Sequence, residues 1–348
     1  MNHNLTHVSN FVLKNKHGII YTFFVFAVSL IFTKYYFLLT NEYYAPAYSS
    51  TIAEYKADKV FQKRFLVPVT AKYISAFSFL TFDHSLKSIT AISTFTLIAS
   101  FGFLIKTLNP LIKSNYWSLF ILIPVVWNYM IINSIYHAYD IPSLAIFCVG
   151  LVLFLKKKYV LFYIVFICGT LNRESTCFIT ISIILLTCSL SIRKNFHNSI
   201  RENRQLIKHT FTQFVLWITI TNFVTHMIQS NPGLTYEQTL SMKHFLYNMI
   251  NNQPSWPYLN PDGFLENPRC FLTLFAGIWV LIPFVWSYIQ LKQKILLLLI
   301  PIYLVPAIMY ANLMETRVYH EINIIIAIAL IDGFTNKTAN SSLRPFGS

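Results

Sequence analysis

The sequence predicts an all-α fold: a polytopic transmembrane helical bundle of about ten helices, with interfacial helices in the first outer loop. Three observations carry that prediction. Of 348 residues, 55% are hydrophobic and only 11% are charged, less than half the charged share of an ordinary soluble domain. Apolar runs approaching membrane-helix length recur along the chain. They are not the alternating short strands of a lipid-facing barrel.

The elements follow in order. Lys14 and Lys16 precede an apolar run from Gly18 to Thr40. That run exceeds the apolar core of a signal peptide, and no small-x-small cleavage motif precedes Asn41-Glu42. It reads as a retained first helix after a cytoplasmic segment, 1–17. Residues 41–87 are amphipathic enough for short helices lying along the interface. Further spans are expected at 88–107, 116–134, 141–155, 159–171, 176–192, 209–228, 270–291, 295–312 and 322–335. The outer connections are then 41–87, 135–140, 172–175, 229–269 and 313–321. The transmembrane domain covers 18–335, and 336–348 form a second cytoplasmic tail.

Charge fixes the orientation. The net charge of +14 invites a nucleic-acid reading, but its distribution opposes one. With these spans, sixteen of the 27 basic residues and two of the 13 acidic ones fall on the side holding both termini. Lysines 156–158 and the basic stretch 193–208 dominate that side. The positive-inside rule makes it cytoplasmic, which puts the chain in the inner, cytoplasmic membrane with no nucleic acid as partner. The five cysteines lack CxxC or metal-ligand spacing. Nine glycines form no phosphate loop, and HExxH is absent.

The outer face collects the polar clusters. The first segment holds Glu42, Glu54, Asp58, Lys63 and Arg64; later come SIYHAYDIP, GTLNREST and METRVYHEIN. Asp140 precedes Ile141-Pro142, and proline suits a first helical turn, so Asp140 reads either as an N-cap or as a site residue. Asn172, Arg173 and Glu174 read as a solvated hairpin tip or as a lined site, since charges near membrane depth usually face protein or a wet cavity. Glu315, Arg317 and His320 read as a structural charge cluster or as part of the same site. Trp256, Tyr258 and Trp279 read as interfacial belt residues or as a sugar platform. Arginine binds phosphate through a planar, bidentate fork, and a carboxylate can take the proton of an attacking hydroxyl. Together they suit group transfer from a lipid-phosphate donor, with arginine stabilising charge on the departing phosphate.

At these residues the chain resembles the GT-C superfamily of polytopic glycosyltransferases. NEYY places Glu42 where that family carries an acid just after helix one, and KRFLVP, with Arg64 and Pro68, is similar to its basic–Leu–Pro segment. YDIP, LNRES and METRVYHE are similar to segments of GT-C-like bacterial membrane proteins. The resemblance implies transfer of a sugar from a polyprenyl-phosphate donor to a glycan or lipid-linked acceptor outside the cytoplasm. It implies Glu42 or Asp58 as base or metal ligand, and Arg173 and Arg317 on lipid phosphate. Glu174 and Glu315 would orient those arginines. Arg64, Asp140, Asn172 and His320 would contact donor or acceptor. Many members pair two acids in the first loop; this chain has Asn41-Glu42, which leaves Asp58 or Glu54 open as base. No cofactor is certain. A divalent metal, Mg or Mn, is compatible with the oxygen ligands, but no loop has cage spacing.

Two other classes share these features. A polysaccharide polymerase or ligase would use the same lipid carrier, but the 229–269 loop holds only Lys243 and Arg269 as basic residues. A lipid-linked glycan transporter or flippase would place charges or broken helices near the bilayer midplane, often in repeated halves, and no repeat shows.

Overall fold

A computed structural model describes residues 2–42, 45–132, 136–191, 196–233, 274–310 and 320–342. Helices are its only regular elements of more than one residue among those described. α1 is Asn2–Leu39. Three short helices follow, α2 (Ser49–Ala53), α3 (Lys59–Gln62) and α4 (Leu66–Phe77), in the segment expected to lie along the interface. α5 is Phe82–Leu108, and α6 is Leu122–Val126. α7 (Asp140–Leu155), α8 (Tyr159–Asn172) and α9 (Cys177–Ser191) form a compact run. α10 is Phe196–Met227. α11 (Ile282–Val285), α12 (Leu291–Leu296), α13 (Leu299–Tyr310) and α14 (Glu321–Ser342) complete the chain.

Among the described residues, three helical stretches are long and apolar enough to cross a membrane: Gly18–Leu39, Phe82–Leu108 and Glu321–Asn340. The other expected crossings appear among the described residues only as shorter or interrupted apolar helices. α7, α8 and α9 have 16, 14 and 15 residues; at 1.5 Å per residue they span about 21–24 Å, short of a ~30 Å hydrocarbon core. Two other expected spans are broken. Residues 116–132 run from a 3₁₀ turn through α6 into a π-helical turn at Trp127–Ile132. In 274–288, Phe275, Ala276 and Gly277 all have positive φ, 53°, 60° and 68°, so the backbone there cannot continue a right-handed helix.

α5 is the scaffold, packed on α1, α4 and α7; α7 packs on α8, and α9 on α10 and α12. α14 lies at the centre. Ile322 and Ile324 to Ile331 are all at most 2% exposed, the pattern of a helix buried all round. Two features of α8 set up the site. An ideal Cβ at Gly169 would stand 2.7 Å from Ile146 Cγ2 and 2.9 Å from Thr176, so glycine allows α8 to close on α7 and on the turn after Arg173. Arg173 then leaves the helix in an extended conformation, φ −164° and ψ 137°, and residues 174–176 form a 3₁₀ turn into α9.

Candidate functional site

Three segments distant in sequence meet in one buried polar cluster. Asp140 starts α7, Arg173 leaves α8, and His320 precedes α14. Arg173 donates from a guanidinium nitrogen to Asp140 Oδ1 at 3.2 Å. The same nitrogen lies 3.0 Å and 3.3 Å from the two ring nitrogens of His320. The guanidinium is thus shared between the two ring nitrogens. His320 Nε2 also contacts Ser143 Oγ at 2.9 Å, and Nδ1 contacts the Tyr129 hydroxyl. Glu321 closes the cluster: it accepts from Ser175 Oγ and Tyr303 OH, each at 2.6 Å, and lies 3.3 Å from His320 Nε2.

A second layer abuts the first. Glu174 faces Lys63 Nζ and Arg64 Nε, both at 3.9 Å, ion-pair distances too long for hydrogen bonds. Arg64 donates to the Tyr139 hydroxyl at 2.9 Å, and its guanidinium carbon stands 4.9 Å from that ring's centre, within cation–π range. Asn172 Nδ2 donates to the Tyr139 carbonyl at 2.9 Å, and Trp217 Nε1 to the Glu174 carbonyl at 2.8 Å. Lys63, Arg64 and Arg173 are 9%, 9% and 4% exposed, burial that charged side chains tolerate only with partners. Several acceptors remain unspent: among the described residues Asp140 Oδ2, Asn172 Oδ1 and Glu174 Oε1 have no hydrogen-bond partner. Neither ring nitrogen of His137 has one either, although the ring is stacked between Phe61 and Tyr139.

The expected site residues distribute as follows. Arg64, Asp140, Asn172, Arg173, Glu174 and His320 come together. Glu315 and Arg317 lie outside the described residues, as do Trp256 and Tyr258. Asp140 is not an N-cap: α7 begins at Asp140 itself, Tyr139 holds the cap position without a side-chain bond, and the Asp140 carboxylate turns to Arg173. Asn172 and Arg173 are not a solvated tip; both are buried. Glu174 is paired with Lys63 and Arg64, and the carboxylate on Arg173 is Asp140. Lys63, Glu321 and His137, outer-face polar residues with no role assigned from sequence, belong to the cluster and its border, as does Tyr129, which the sequence did not point to. The adjacent pair Lys63-Arg64 and the His320-Glu321 dipeptide were the available signals.

The first-segment acids stand apart. Glu42 Oε1 accepts from the Ser49 amide at 2.7 Å and from the Ser49 hydroxyl. Burial pushes its carboxyl above the usual range; the Ser49 bonds oppose that shift, and the charge of Asp83 adds to it. Asp58 sits at the N-cap of α3, where the Lys59 amide donates to the Pro232 carbonyl at 2.9 Å. Its carboxyl packs on Gly233, whose φ of +83° and closeness to Asp58 (3.1 Å from an ideal Cβ) both call for glycine. Glu54 is exposed and accepts from Lys56 at 2.8 Å, a bond that lowers its pKa. Among the described residues no three His, Cys, Asp or Glu side chains converge on a metal position.

No family model, curated protein or solved structure matches this chain.

Proposed function

We propose that the chain is a multi-pass membrane glycosyltransferase of GT-C type, with about ten crossings and both termini cytoplasmic. It moves a sugar from a polyprenyl-phosphate donor to a glycan or lipid-linked acceptor at the outer face of the inner membrane. The carrying observation is the meeting of Asp140, Arg173 and His320 from three distant segments, beside Lys63, Arg64 and Glu174. Arginine and lysine together are the natural receivers of a lipid phosphate. The Lys63–Glu174 and Arg64–Glu174 pairs are loose, so an incoming phosphate competes with Glu174 for the two cations. Arg173, clasped by Asp140 and His320, is held ready to stabilise charge on the departing phosphate. Glu42, in the place just after helix one where the GT-C resemblance puts an acid, or Asp58 serves as base; Glu42 is half-buried, and burial raises its carboxyl. Arg317 and Glu315 lie outside the described residues and keep the donor-phosphate role that the resemblance implies for them. Membrane lipid surrounds it, and Mg or Mn, if used, would answer to chelation.

The test is a mass profile of envelope glycans and lipid-linked sugars. The strains are a deletion complemented by wild type, by Glu42→Gln, or by Arg173→Ala at equal protein levels. Loss of one defined sugar in the deletion and both variants is expected. Unchanged glycans in the deletion would sink the proposal.

One observation favours a second reading, a lipid-linked glycan transporter. The left-handed backbone at 275–277 and the π turn at Trp127–Ile132 are discontinuities of the kind that transporters use at binding sites. Purified protein in detergent separates the two: a transferase makes product without a sealed membrane, and a transporter does not.

A further inference from the structure

A groove of about 490 Å³ opens between α1 and α5, lined by Leu30, Phe37 and Leu38 on one side and Ala91 on the other, a volume typical of small-ligand sites. Lys34, Lys87 and His84 stand at the same groove. Lys34 lies one and a half turns before the end of α1, and Lys87 the same distance after the start of α5. Both are therefore about 7 Å inside their helix ends, the depth where headgroups give way to acyl chains. Both lysines are exposed, and among the described residues neither has a carboxylate within ion-pair distance. Snorkelling would send each ammonium out to water. Lys87 instead lies across the groove, with Nζ 5.5 Å from the Phe37 ring centre on α1. Asp83, the acid nearest along α5, acts on Glu42. Thr81 Oγ1 caps α5 by accepting from the His84 amide at 3.3 Å and lies 2.6 Å from His84 Nδ1. Donor and acceptor roles in that second contact follow the tautomer of the His84 ring, which lines the groove beside the lysines.

We propose that this groove seats one anionic phospholipid, its phosphate on Lys34 and Lys87 and an acyl chain along Leu30, Phe37 and Leu38. The charge complementarity comes from two lysines on different helices that both line one apolar groove, Lys34 with its ammonium 6.0 Å from the Tyr35 ring centre and Lys87 against Phe37. The site is separate from the transferase reading and does not depend on it.

The test is lipid retention by the full-length protein, measured by native mass spectrometry. The protein is purified in detergent and incubated with micelles containing either phosphatidylglycerol or phosphatidylcholine of matched chains. Wild type should retain one phosphatidylglycerol in at least tenfold preference to phosphatidylcholine. Lys34→Gln/Lys87→Gln should lose that preference, whereas Lys56→Gln, at a distant exposed ion pair, should keep it. Ala91→Phe, which fills the groove, should lower retention of the phospholipid without abolishing folding, checked by thermal unfolding. Equal retention of the two lipids by wild type, or unchanged preference in the double lysine variant, would overturn the proposal. So would displacement by inorganic phosphate alone, or by polyprenyl phosphate in preference to phosphatidylglycerol; the latter would make the groove a donor seat.

Discussion

Two buried polar clusters touch α14, one at each end of its buried stretch, and they are built on opposite principles. At the far end, the hydrogen bonds on Asp332 come from neutral donors, with the charge of Lys292 acting on it from nearby. Its Oδ1 accepts from Asn109 Nδ2 at 2.7 Å and Gln293 Nε2 at 3.2 Å, and its Oδ2 from the Gln290 amide at 2.7 Å. Asn336 continues the lattice to the Tyr288 carbonyl. That carboxylate is spent: it ties α5, the start of α12 and α14 together. At the near end, three cations and three carboxylates (Asp140, Glu174 and Glu321) share one volume, and Asp140, Glu174 and Asn172 each keep an acceptor without a hydrogen-bond partner among the described residues. A carboxylate whose bonds are all made to backbone and amides is structural. A charged cluster with valences left over has the capacity to bind something.

The sharpest way to break this contrast is Arg173→Met. It takes from the buried Asp140 carboxylate its ion-pair partner, leaving only the more remote charge of Arg64, a cost of about 3–5 kcal/mol, and product formation should fall below detection. Stability alone could explain that loss, so the second variant decides. Asp140→Asn/Arg173→Met removes both charges and should recover most of the thermal stability in detergent without recovering product. Return of product in the double variant would make the near cluster as structural as the far one.

Asp332→Asn comes next. The new amide sets a donor against donors, and a buried group left unsatisfied costs about 1–3 kcal/mol. Thermal unfolding should shift down, while product per folded molecule stays at the wild-type level. A drop in product per molecule would erase the distinction between the two ends. Glu174→Gln should cost less still, within about 1 kcal/mol, because its two pairs are 3.9 Å long and the carboxylate is partly exposed. Its effect should appear in the apparent affinity for the polyprenyl-phosphate donor, which tightens if the carboxylate competes with phosphate for Lys63 and Arg64. Titrating the donor against wild type and variant checks this.

The contrast also shows what composition can and cannot announce. The ends of α7, α8 and α9 fall within about two residues of the expected spans because charged or polar residues interrupt each apolar run. α5 starts at Phe82, not at 88, since Thr81 caps it through the His84 amide, a local signal that an apolar window overlooks. α10 begins at Phe196, well before 209, because a helix continues through polar sequence as readily as apolar. The breaks at 116–132 and 274–288 were missed for the opposite reason: both stretches are predominantly apolar, and an apolar window passes over Pro124, Gly277 and Pro283 inside them. Site residues were legible as motifs, while their partners were not. Glu174 is next to Arg173 in sequence, yet the extended backbone at Arg173 turns neighbouring side chains to different layers. Asp140, 33 residues away, takes the place expected of Glu174.

The smallest effect belongs to Glu42, and its sign is fixed by burial. Burial raises the folded-state pKa of Glu42 above the ordinary carboxyl value, with the Ser49 bonds pulling the other way. Below the unfolded pKa the group is protonated in both states and costs nothing. As pH rises from there through the folded pKa, the unfolded chain releases its proton first, so the folded state is progressively penalised. Glu42→Gln removes that titration and still offers an amide oxygen to the Ser49 amide and hydroxyl. The variant should therefore match wild type below the carboxyl range and become slightly the more stable protein toward neutral pH, as read by thermal unfolding in detergent across that window. A variant less stable than wild type at neutral pH would mean that the ionised carboxylate is welcomed by its surroundings. Glu42 would then be a tether for Ser49 of the same kind as Asp332, and the base would have to be sought at Asp58.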